Sequence, residues 1–127
     1  MFEGFSSQAI EYFPILMEGA WTTIGITLCA LVIGTLLGLV WALLRVSNIR
    51  LLAECSRYLT NAIRGIPIIV VLFYLYFVLP EMGVDMSAFQ AGALGLGLAY
   101  SAYMAEVFRS GIEAIDPGQR EAAQSIG

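Results

Sequence analysis

Residues 19 to 44 carry no charged side chain, and twelve of them are Leu, Ile or Val. No other feature restricts the fold of this chain as strongly. As a helix the run would extend roughly 37 Å, enough to cross a hydrocarbon layer of about 30 Å with some tilt. Its branched aliphatic residues favour insertion by about 4 to 7 kcal/mol, at about −0.3 to −0.6 kcal/mol each near a helix centre. A cleaved signal peptide needs a basic start, and no Arg or Lys precedes Arg45.

Two further windows support a membrane fold. Residues 86 to 105 are uncharged and lie between Asp85 and Glu106. The window over 65–80 holds sixteen residues, roughly 24 Å of helix, which is short for a span. It is dense in apolar side chains from Ile68 to Leu79, and its inner end is expected to reach back past Arg64, whose side chain can snorkel to the interface. Pro67 stands where a helix starts or kinks, and Pro80 closes the run. The expected fold is all-α: a polytopic membrane helix bundle with three transmembrane helices over about 20–44, 65–80 and 86–105. The composition agrees, with 59% hydrophobic and 13% charged residues, about half the charged share of ordinary soluble domains.

The arginines set the orientation. Segment 1–18 has three acids and no base, segment 45–64 has four arginines, segment 81–85 has two acids, and segment 106–127 has two arginines. This alternation places the N-terminus outside and the 45–64 loop and C-terminal tail in the cytoplasm.

The residue inventory excludes much chemistry. All six basic residues are Arg, with no Lys and no His. A phosphate-binding P-loop lacks its Lys, and Ser-His-Asp catalysis and His-ligated metals lack their His. Cys29 and Cys55 form no CxxC pair, and Ser110 lies in no G-x-S-x-G turn. Catalytic residues, cofactors and metals are therefore not expected, and a membrane-embedded enzyme is a poor reading. The net charge of −4 argues against nucleic acid as a partner.

Small residues mark the packing faces. Ala30, Gly34, Gly38 and Ala42 recur every four positions in the first window. In the third, Ala91, Gly95 and Ala99 make one row and Ala93, Gly97, Ser101 and Ala105 another. Rows of this kind admit close backbone approach between membrane helices, so the third helix is expected to have neighbours on two sides. Arg50, Arg57 and Arg64 share one helical face, with Glu54 in reach of the first two. That stripe faces solvent or lipid phosphate, or else a cytoplasmic protein.

Beyond the third window the chain breaks at Asp116-Pro117-Gly118. Asp116 is expected as N-cap, Pro117 as first helical residue and Gln119 as partner in a capping box. The helix from Gln119 to Ile126 then stops at Gly127. Eight or nine residues are too few to be helical alone in water. The modest apolar face of Ala122, Ala123 and Ile126 therefore needs a groove to dock into.

Glu121-Ala122-Ala123, followed after three residues by Gly127, resembles the start of the EAA motif of permease subunits in binding-protein-dependent ABC importers. The run from Gly111 to Gln119 resembles the polar amino acid branch of that family (His, Glu, Gln, Arg and opine carriers). Arg64-Gly65-Ile66-Pro67 and the stretch from Tyr100 to Glu106 agree, and the resemblance extends from Trp21-Thr22-Thr23 onward.

The resemblance implies a membrane-spanning permease subunit of an ATP-driven amino acid importer in the bacterial cytoplasmic (inner) membrane, forming half of the translocation path. Its implied partners are a cytoplasmic ABC ATPase, a second permease subunit (the same or paralogous), an extracytoplasmic amino acid binding protein and the lipid bilayer. Glu121, Ala122, Ala123 and Gly127 correspond to the coupling residues, with Gln119, Arg120 and Ile126 beside them. Family members continue past the motif glycine into further spans. Residues 1–127 therefore read as the N-terminal part of the transmembrane domain, ending within the coupling segment. The alternative is a truncated, non-transporting membrane protein that binds permease or ATPase partners.

Overall fold

A computed structural model describes residues 2–127, with side chains described for 11–119 and 121–127. The elements are α1 (Phe2–Arg45), α2 (Arg50–Gly65), α3 (Ile68–Phe73), α4 (Ala88–Glu113) and α5 (Pro117–Ser125). α3 runs directly into a π-helical turn, Tyr74–Val78, and a 3₁₀ turn follows at Pro80–Met82. Among the described residues there is no strand, and the all-α expectation holds.

Side chains are distributed in the reverse of a water-soluble protein. Among the described residues the buried apolar side chains are all alanines, namely Ala30, Ala42, Ala91, Ala93, Ala99, Ala102 and Ala105, and they are joined by Ser56, Thr60 and Ser101. Leu28, Leu31, Leu36, Val40, Leu43, Phe73 and Phe77 are exposed instead. Large apolar side chains facing outward around a core of small residues is the arrangement expected where lipid, not water, is the solvent.

α1 and α4 pack in parallel, and the rows of small residues make the contact. A Cβ built on Gly34 would stand 3.3 Å from the Gly97 carbonyl oxygen. One on Gly38 would stand 2.5 Å from Met104 Cβ and 3.0 Å from the Ser101 carbonyl oxygen. One on Gly97 would meet Ile33 Cβ at 2.8 Å. The Ala91, Gly95 and Ala99 row of α4 serves α3, since a Cβ on Gly95 would lie 2.7 Å from a Leu72 methyl. The two-sided packing expected of this helix is present.

The second window departs from expectation. Its helix does not continue back past Arg64: α2 and the helix over Ile68–Val78 meet at 92°. Proline explains the break. A residue before proline is driven out of the helical region, and Ile66 is extended at φ −92°, ψ 126°. Pro67 itself, without an N–H, precedes the first turn of α3. At its far end the bond from Leu79 N–H to the Tyr74 carbonyl, 3.0 Å, closes the π turn. Gly83 then reverses the chain at φ 85°, a conformation that side chains disfavour.

The other boundaries shift, mostly outward. α1 reaches well beyond 20–44, and α4 begins at Ala88 and continues eight residues past 105 to Glu113. α4 starts on a capping box in which Ser87 Oγ accepts from Gln90 N–H and Gln90 Oε1 accepts from Ser87 N–H. Within the described residues, Glu11–Arg45 of α1 is long and apolar enough to cross a membrane, and the bent pair of α2 and α3 qualifies if read as one span. α4, at 26 residues, has the length, but its Gly, Ser, Tyr and Gln lower its apolarity because that helix packs against neighbours on two sides.

Candidate functional site

The tail forms the helix that the Asp-Pro-Gly signal predicts. Asp116 Oδ1 accepts from Gly118 N–H at 2.7 Å, and Pro117 is the first helical residue. Gln119 departs from its expected capping role: its backbone N–H donates to the Asp116 carbonyl at 3.0 Å, and the reciprocal side-chain bond is not among the described contacts. At the other end Ile126 N–H returns to the Ala123 carbonyl at 3.4 Å, and Gly127 takes φ 105°.

α5 packs against no other helix among the described residues. Gln119, Glu121, Ala122, Ala123, Ile126 and Gly127 are all exposed, Ile126 to 89%. Arg120 lies in the helix, but its side chain is outside the described residues. Ala122, Ala123 and Ile126, spaced three and four apart, share one face. A nine-residue helix presenting its apolar face outward finds no packing partner among the described residues to offset its nucleation cost.

α5 follows the end of α4 across the Asp116 break, and at that end of α4 the structure adds residues that sequence reasoning did not assign. Glu106 Oε2 accepts from Arg45 Nη1 at 2.9 Å, joining the last turn of α1 to α4. The other Glu106 oxygen accepts from Arg109, and Arg109 also donates to Glu113. The chain Arg45–Glu106–Arg109–Glu113 thus runs down α4 toward the Asp116 break. Beyond the apolar window, the Arg109 hydrogen bond holds the Glu106 carboxyl below its ordinary value of 4.5 against partial desolvation, helped by the charges of Arg45, Arg109 and Arg64. Hydrogen bonds to Glu106 and then Glu113 raise Arg109 in turn.

One sequence signal would have located the pair. The rows Ala30, Gly34, Gly38, Ala42 and Ala93, Gly97, Ser101, Ala105 match one to one in a parallel register, which brings Arg45 to within a turn of Glu106. Tyr100 and Tyr103 lie near this end, exposed, with ring centroids 6.3 Å apart. They border an open hollow with Arg64 and Pro67. Among the described residues no cluster of His, Cys, Asp and Glu could hold a metal ion.

Residues 34–127 match the family described as the inner membrane component of binding-protein-dependent transport systems. A probable amino-acid ABC transporter permease of Sinorhizobium fredii is 46% identical over 118 residues, covering 93% of this chain and 51% of the relative. An arginine transport system permease of Bacillus subtilis is 36% identical over 122 residues, covering 95% of this chain and 56% of the relative. The crystal structure of an amino acid ABC transporter with histidines superposes with a TM-score of 0.83 at 39% identity, over 94% of this chain and 56% of that one. The chain therefore spans about half the length of the relatives it matches. With the fold, the packing and the family match in agreement, this chain belongs to the inner membrane component family of binding-protein-dependent transport systems.

Proposed function

We propose that this chain contributes half of the membrane path of an ATP-driven amino acid importer, and that α5 is the helix through which a separate cytoplasmic ABC ATPase acts on it. The observation that carries this reading is the isolation of α5. It is capped, faces outward with Ala122, Ala123 and Ile126, and packs on no other helix among the described residues. A helix so short takes its stability from a partner, and small side chains let a groove close on its backbone. Residues 1–127 contain no Lys for a P-loop, in keeping with a separate subunit that hydrolyses ATP.

In this mechanism Gln119, Arg120, Glu121, Ala122, Ala123, Ile126 and Gly127 meet the ATPase, and closure of the ATPase dimer moves α5. The ionic chain through Arg109, Glu106 and Arg45 passes that movement to α4 and α1 together. Because a ligand shifts an equilibrium only through differential affinity, α5 makes different contacts with the ATPase in its ATP-bound and ATP-free states. A second permease subunit completes the path, and an extracytoplasmic binding protein delivers the substrate. The chain sits as a multi-pass protein in a bacterial inner membrane, with residues 1–127 forming the N-terminal part of its transmembrane domain. Relatives named for arginine, glutamine and cystine transport support a polar amino acid as substrate.

Co-purification tests the reading. The chain is expressed with its ATPase and isolated in detergent beside Glu121→Arg and Ala123→Trp variants. Retention of the ATPase by the wild type and its loss from both variants is expected. Equal retention by all three would remove α5 from the interface.

A further inference from the structure

We infer that α2 lies flat in the headgroup layer on the arginine-rich side of the membrane and binds anionic phospholipid through Arg50, Arg57 and Arg64. This goes beyond the reading of α5 and rests only on the membrane placement of the bundle. α2 stands at 92° to the helix that follows it. With α3 running along the bundle, α2 therefore crosses it.

The surface of α2 divides into three faces. On one, Ser56 and Thr60 are 1% and 0% exposed, and Ser56 Oγ donates to the Trp41 carbonyl of α1 at 2.8 Å. The second face is apolar and open: Leu51, Tyr58 and Leu59 are 72%, 67% and 49% exposed, with Leu52 and Cys55 beside them. The third carries Arg50, Arg57 and Arg64. At about 100° per residue, the open apolar face and the arginine face are centred roughly 140° apart, with the bundle contact between them on the other side. One face thus meets the bundle, one suits acyl chains and one suits the polar boundary.

The charges favour lipid over a protein groove. Segment 45–64 holds four arginines against Glu54 alone, whereas the segments on the opposite side hold acids only. Arg57 bonds Glu54 at 2.6 Å and lies 5.4 Å from the Tyr58 ring centre, at the border between the polar and apolar faces. Arg64 Nη2 donates to Asn61 Oδ1 at 2.6 Å. Among the described residues Arg50 has no ion-pair partner. Tyr and Arg at such a border match the headgroup level of a leaflet, and the leucines exposed beside them would be poorly accommodated in water.

Cys55 provides the probe. With Cys29→Ser, it is the single thiol of the chain and takes a nitroxide spin label after reconstitution into phosphatidylglycerol-containing vesicles. The label is expected to be reached by oxygen and shielded from a water-soluble nickel complex. In phosphatidylcholine vesicles, or with Arg50→Gln/Arg57→Gln/Arg64→Gln, it should shift toward the water. Retention of phosphatidylglycerol in native mass spectrometry should fall about fivefold per arginine removed, on the usual strength of one basic residue at an anionic surface. An immobile label shielded from both reagents would mean that protein covers this face, and ready access by nickel would mean water. Either result overturns the inference. So does a depth and lipid retention indifferent to headgroup charge and to the arginines.

Discussion

Arg45 and Glu106 stand 61 positions apart in the sequence, yet Arg45 Nη1 donates to Glu106 Oε2 at 2.9 Å. The bond closes α1 onto α4 at the end from which the tail helix projects. Its side chains are 18% and 35% exposed, so solvent screens the pair. A double-mutant cycle with Arg45→Gln and Glu106→Gln, read by thermal unfolding in detergent, should give a coupling of about 0.5–1 kcal/mol. A coupling near zero would show that the contact is incidental.

The same carboxylate sets a pH dependence. Its folded value lies below the ordinary 4.5, so the ionised form favours the folded state. The stability it contributes is complete above the unfolded value and is lost as pH falls through the lowered folded one. Infrared difference titration against Glu106→Gln should find Glu106 still mostly ionised at pH 4.5. Half-protonation at or above that pH would contradict the ionic chain.

Close approach of α1 and α4 makes two glycines intolerant. At Gly38 a methyl group would come within 2.5 Å of Met104 Cβ and 3.0 Å of the Ser101 carbonyl oxygen, and at Gly97 within 2.8 Å of Ile33 Cβ. Gly38→Ala and Gly97→Ala should each destabilise the bundle by about 1–3 kcal/mol. Gly111, helical and with nothing within 4 Å of a built Cβ, is the control: Gly111→Ala should be neutral or stabilise by up to about 1 kcal/mol. Thermal unfolding of the three variants in one detergent separates these outcomes.

The N-cap of α5 offers a graded test. Asp116→Ala removes the acceptor for Gly118 N–H and should weaken the helix by about 1 kcal/mol, while Asp116→Asn should be nearly neutral. If docking requires a formed helix, ATPase affinity should fall several-fold for Asp116→Ala and little for Asp116→Asn. Equal affinities would mean that the partner imposes the helix regardless of its cap.

How much of this the sequence discloses depends on the range of each interaction. The rows of small residues in α4 announced two neighbours, because helical spacing alone sets which side chains share a face. The start of α5 was legible for the same reason, since Asp116 and Pro117 act within one turn. The capping box at Ser87 and Gln90 carries an equally local S-x-x-Q signature, although charge alone does not mark it. The right-angle break before α3 was harder. Charge and hydropathy run smoothly through residues 65–80, and only the restriction that Pro67 places on Ile66 interrupts the helix. The Arg45–Glu106 bond depends on the register between two helices, and no window short enough to read a span contains both residues. The isolation of α5 is likewise a property of the whole packing.

Cross-linking from Ile126→Cys most directly tests whether α5 is the site of ATPase action. The chain is assembled with its ATPase in membranes, and disulfide formation with cysteines placed around the ATPase groove is followed with and without ATP. The expected result is efficient cross-linking whose yield changes when ATP binds, with little from a Gly111→Cys control on α4. An assembled complex that imports amino acid yet forms no cross-link from Ile126 in either state would contradict it.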